Sequence, residues 1–207
     1  TAWIARAFLV PEATVAQRIV RAKRTLAERG IGFAVPPPAE WPTRLDAVLE
    51  VIYLIFNEGY AASAGDGWTR PALCEEALRL ARVLARLQPL DARVAGLLAL
   101  MELQASRLPA RTDEEGRPVL LEAQDRARWD RLQISRGLAA LQVALQAGGG
   151  AEPYVLQAAI AACHARARRA ADTDWPRIAA LYTALLEVQP SPVVALNRVV
   201  AVWRASG

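Results

Sequence analysis

One histidine and one lysine stand in the 207 residues, against 24 arginines, and there are only two cysteines. Cys74 and Cys163 lie 89 residues apart without CxxC spacing, which fits neither a disulfide framework nor a zinc site and suits a reducing compartment. The sole lysine, Lys23, lies in a basic stretch, so no phosphate-binding glycine-lysine loop is possible, and no GxSxG elbow occurs. Aromatic residues make up 6% and β-branched residues are sparse, which disfavours a sheet-rich fold. The apolar run Val94–Met101 is far shorter than the roughly 20 residues that cross a bilayer. No charged-then-apolar leader opens the chain. What is abundant is Ala, Leu, Arg and Glu, with 54% hydrophobic residues, enough for a buried core. The expectation is an all-α fold in the cytoplasm.

Charge is distributed unevenly. Residues 1–30 hold six basic and two acidic side chains, a balance of +4, while residues 31–207 hold 19 of each. The whole bias of the chain therefore sits in its first thirty residues, as when one small module meets a polyanion. From Glu12 to Arg29, Val15, Ile19, Ala22 and Leu26 form one apolar stripe, and Gly30 supplies a helix stop. Thr14, Gln17, Arg21 and Arg24 fall on the opposite arc with Arg18 at its edge, and Lys23 and Arg24 are expected nearer a nucleic-acid backbone. A shorter helix is expected before it, capped by Thr1, carrying Ile4, Ala5 and Phe8 and broken at Leu9-Val10-Pro11. Short helix, tight connection and longer basic helix make a helix-turn-helix layout.

Residues 1–24, TAWIARAFLVPEATVAQRIVRAKR, resemble the promoter-reading helix-turn-helix of bacterial RNA polymerase sigma factors of the extracytoplasmic-function type. The match lies in the IA of the first helix, the ExT opening the second and the R-x-x-RA-x-R run. Trp3 stands where those factors often have Glu, and Leu9 where many such turns have Gly. YLIFNEGY (53–60), QDRARWDR (124–131), TDW (173–175) and SPVVALNRVVAV (191–202) resemble the C-terminal extension of one group of these factors, a tetratricopeptide-like helical domain. The resemblance implies promoter DNA and core RNA polymerase as partners, a regulatory protein as a possible further one, and no cofactor. It also implies that the chain starts inside a longer protein.

Three segments follow: 1–30 as the helix-turn-helix, 31–42 (IGFAVPPPAEWP after Gly30) as a proline-rich linker, a strap expected to be extended and not helical, and 43–207 as an array of antiparallel helix pairs. Thr43 and Asp46 read as a capping box. The helix after it is apolar on nearly every side, through Leu45, Val48, Leu49, Val51, Ile52, Leu54, Ile55 and Phe56, and is expected at the centre of the domain. Pairs are expected at 71–87 with 92–107, 137–147 with 153–169, and 175–188 with 193–205. Their Gln-Pro turns lie 101 residues apart, close to three units of 34.

For chemistry the array offers Asn57, Glu58 and Tyr60 at a helix end, then Asp125, Arg128, Trp129 and Asp130 on adjoining helical turns, then Trp175. These are candidates for a protein-contact surface or pocket. The alternative is that Trp129 and Trp175 are core and the acids are helix caps, Asp174 included. Arginines spaced near the carboxylates would keep them ionised, the wrong state for a proton donor. Cys163 and His164 point about 100° apart on a helix and form no natural chelate. No catalytic residue and no metal ligand is expected. Two other functions stay open: a helical protein-binding scaffold, or a small-molecule sensor with a pocket near Tyr60, Trp129, His164 and Trp175, neither with a DNA role.

Overall fold

The structure, a computed structural model, describes residues 5, 10–30, 32, 35–62 and 68–206. The expected short helix at the start falls outside these residues, except Ala5, which is helical and buried. Among the described residues there is no strand, only one isolated bridge between Thr112 and Pro118. The fold is all-α. Eight helices are described: α1 (Glu12–Glu28), α2 (Trp41–Tyr60), α3 (Pro71–Leu87), α4 (Ala92–Ala105), α5 (Arg131–Gln146), α6 (Pro153–Arg166), α7 (Trp175–Val188) and α8 (Pro192–Ser206).

Most of these helices start where backbone chemistry tells them to. Pro occupies the first turn of α2, α3, α6 and α7, where its missing N–H has no partner to lose. Asp91, Asp130 and Asp174 accept from free N–H groups at the starts of α4, α5 and α7. Gly30, at φ 62, closes α1, and Gly148, at φ 83, turns the chain between α5 and α6.

Packing proceeds through three contiguous cores. The first joins α2, α3 and α4 through Leu49, Ile52, Phe56, Leu78, Leu97 and Met101. The second joins α4, α5 and α6 through Leu100, Leu103, Trp129, Ile134, Leu141 and Val155. The third joins α6, α7 and α8 through Leu156, Ile160, Cys163, Ile178, Leu185 and Ala201. Helices α4 and α6 are each a wall of two cores, and so carry apolar side chains on both faces. Small residues let these walls approach closely. A Cβ at Gly96 of α4 would lie 2.6 Å from Val155 Cγ2 on α6, and one at Gly137 of α5 would lie 2.7 Å from Leu103 Cγ on α4.

Four expectations need correcting. Helix α2 is at the edge of the array: Val51 and Leu54 are 56% and 58% exposed, and Val48 is exposed beside them. Its apolar surplus is not buried in the described structure. It also starts at Trp41, after a 3₁₀ turn at Pro38–Glu40, so the proline-rich strap is partly helical. Thr43 therefore lies inside the first turn, its hydroxyl donating back to the Glu40 carbonyl at 2.8 Å, while Asp46 pairs with Arg93 at 2.8 Å. That is no capping box. Last, α4 packs more extensively on α5 and α6 than on α3, across a 106–130 connection built of three 3₁₀ turns.

Candidate functional site

Two sets of side chains carry chemistry. On α1, Val15 is buried, while Gln17, Arg18, Arg21, Lys23 and Arg24 are exposed and Thr14 is half-buried. The stripe expected to face a core is only half covered in the described structure, with Ala22 and Leu26 exposed. Arg24 donates through Nε to Glu28 at 2.6 Å, so its charge is shared along the helix. Arg18, Arg21 and Lys23 are left to define the positive face.

The second set is a run of alternating cations and rings through the array. Tyr60 stacks on Phe56 at 5.7 Å, and the Arg111 guanidinium lies 3.8 Å from the Tyr60 centroid. Arg107, just past α4, lies 5.9 Å from the Tyr60 ring and 6.0 Å from the Trp129 ring. Arg126 lies closer to the same ring, 4.7 Å from the Trp129 centroid. Its Nη1 donates to two backbone carbonyls closing α6, those of His164 and, at 2.9 Å, Ala167. His164 meets Trp175 edge-on at 5.4 Å, and Arg204 covers Trp175 while pairing with Glu122.

Tyr60 and Trp129 are thus core residues, and they form no contact surface on this chain. The stretch from Asp125 to Asp130, expected on adjoining helical turns, is not one helix. The stretch 126–128 is a 3₁₀ turn that Asp125 caps through the Ala127 N–H, and Asp130 caps α5. Glu58 pairs with Arg70 at 3.6 Å, and the Asn57 carbonyl accepts from Ala61 at the end of α2. Only Arg128 stays exposed without such a task, and Trp175 is half-buried. Sequence reading passed over Arg107, Arg111 and Arg126, because surplus arginine looks like solvated helix surface until the rings around it are placed.

Around Arg107 the array opens into a cavity of about 390 Å³, with Gln104, Arg107, Gln157, His164, Tyr182 and Asn197 among its walls. Helices α4, α6, α7 and α8 contribute these side chains, except Arg107 from the connection after α4. The signal was faint: Gln104 and Arg107 are three apart, and Gln157 and His164 seven apart, each pair on one face of a mainly apolar segment. Burial pushes the His164 imidazole down to about 4, and the charges of Arg107 and Arg126 push the same way. The unfolded chain then takes up the proton first on acidification. The stabilisation that the neutral imidazole provides is complete above about 6.5 and is lost as pH falls towards about 4. Urea midpoints of wild type and His164→Gln are expected to converge over that window; parallel curves would contradict the assignment.

Burial also raises the Cys74 thiol to about 11 and the Cys163 thiol above its ordinary value, which keeps both thiols protonated near neutral pH. Among the described residues no three His, Cys, Asp or Glu side chains gather as metal ligands, and no helix is long and apolar enough to cross a membrane.

Residues 44–145 match a family of unknown function, DUF6596. The chain is 51% identical over 204 residues to an uncharacterized protein of Rhizobium meliloti (strain 1021), an alignment covering 99% of this chain and 48% of the relative. The chain thus spans about half the length of that relative. No solved structure matches.

Proposed function

We propose that this chain is the promoter-reading end and C-terminal extension of a transcription initiation factor of the extracytoplasmic-function sigma type. One observation carries the reading: on α1 a buried Val15 stands opposite exposed Gln17 and Arg21, with Arg18 at the edge of that arc, and residues 1–30, which include α1, hold the net positive charge of the chain. A helix anchored on one side and polar and basic on the other suits insertion in a major groove. Thr14, Gln17, Arg18 and Arg21 face base edges or adjacent phosphates, and Lys23 and Arg24 lie on the backbone. The array acts by protein contact rather than catalysis, on core RNA polymerase or on a regulatory partner, and the place of action is the cytoplasm.

Duplex DNA selected from a random library by the protein provides the test. Arg21→Ala is expected to cost about 1–3 kcal/mol on the selected site and to relax its sequence preference. Arg24→Ala weakens every sequence alike and lowers the salt slope. Binding that ignores both substitutions and salt would remove the reading.

A further inference from the structure

The polar cavity beside Arg107 contains a cation with no anion. Its walls include no carboxylate, and no described Asp or Glu forms an ion pair with Arg107. Arg107 Nε is buried and has no hydrogen-bond acceptor. The guanidinium lies 5.9 and 6.0 Å from the Tyr60 and Trp129 ring centroids, contacts that leave its donors unused. Arg111 and Arg126 also have a buried Nε without an acceptor, but neither lines this cavity, and Arg126 Nη1 already serves two carbonyls. An unpartnered buried donor on a charged group is costly, and a ligand that supplies the acceptor relieves that cost.

The remaining walls narrow the ligand. Leu100, Ile160, Leu185 and Val194 are apolar, while Gln104, Gln157 and Asn197 offer amide groups. Burial holds the Tyr182 phenol above its ordinary value despite Arg107, so it remains a donor at neutral pH. His164 adds no charge there. A single fixed cation balances one negative charge; a phosphate dianion would be left half compensated in a low-dielectric site. Planar guanidinium donors match a planar carboxylate. The volume of about 390 Å³ falls in the range of roughly 300–1,000 Å³ usual for small-molecule sites. We propose that the array binds an organic carboxylate with an apolar body in this cavity, its carboxylate on Arg107 and its body against Leu100, Ile160, Leu185 and Val194. The site stands whether or not α1 reads DNA.

His164 is the only histidine in the chain, so its Cε1–H resonance reports on this cavity alone. The 207-residue chain is titrated with hexanoate and phenylacetate, with hexanamide and phenylacetamide as neutral counterparts, and with a capped leucine tripeptide ending in a free carboxylate or an amide. A saturable shift with the acids and none with the amides is expected. Arg107→Gln is expected to weaken acid binding about 10–100-fold. Ala161→Leu fills the cavity from α6 while leaving Arg107 in place, and is expected to abolish binding; it decides the matter if Arg107→Gln fails to fold. Preference for the tripeptide acid assigns the carboxylate to a chain end, and preference for the small acids assigns it to a free metabolite. Absence of saturation by any acid, equal response to acids and amides, or binding unchanged in both variants would overturn the proposal.

Discussion

Trp129→Ala is expected to destabilise the protein by about 3–5 kcal/mol, enough to unfold a marginal domain. Trp129 is 3% exposed in the second core, among Ala110, Ile134 and Leu141. Its loss leaves a large void and also uncovers Arg126, a buried cation whose compensation is two carbonyls and this ring. Burial holds the Arg126 guanidinium below its ordinary value, with Arg107 adding to the effect, so this cation is already disfavoured. The neighbours set the contrast. Asp125→Ala removes one N–H acceptor at a short turn and costs about 1 kcal/mol. Arg128→Ala, on the surface, stays within about 0.5 kcal/mol. Urea denaturation of the three variants checks the order, and a Trp129→Ala protein with an unchanged midpoint would show that the ring is not where the core needs it.

The second large effect concerns a carboxylate in an apolar wall. Glu102 on α4 is 2% exposed, and Arg82 on α3 donates to its Oε1 through Nε at 2.8 Å and Nη2 at 2.7 Å. Glu102 Oε2 has no hydrogen-bond partner. Arg82→Met leaves that charge buried and alone, at an expected cost of about 3 kcal/mol; the low end of the usual range applies because the Arg82 side chain is 40% exposed. Removing both charges reverses the loss. The Arg82→Met/Glu102→Met double variant is expected to lie close to wild type, because neither charge remains to be desolvated. If the double variant is as unstable as Arg82→Met alone, packing by the Arg82 stem and not its charge is what matters.

Helix ends were legible in the sequence where one residue type decides them alone. Gly30 after α1 and Asp174 before α7 needed no tertiary information, since each acts on a local backbone group. Thr43 misled because the preceding prolines already form a 3₁₀ turn that leads straight into α2, so the cap chemistry was not required. Apolar residues around all of α2 suggested a central helix, yet α4 and α6 hold that place. Their alanines and glycines look unremarkable in composition, and only close approach to partners makes their size matter. The candidate site was less visible: of the residues singled out for a pocket only His164 lines the cavity, and Arg107, which lines it too, comes from a 25-residue connection, 106–130, whose course no local periodicity fixes.

Sharing α4 between two cores alters how the array comes apart. In a stack whose units touch only their nearest neighbours, one end can fray while the other persists, and stability is a sum of local contributions. Here, loosening the Leu97 and Met101 side of α4 also disturbs its Leu100 and Leu103 side on the same rigid rod. Helix α6 extends that coupling through Val155 on one face and Leu156 on the other. Amides of α4 and α6 then exchange with solvent only when the whole array opens, and an event at the Arg107 cavity, which both helices wall, reaches α2 and α8 as a single cooperative unit.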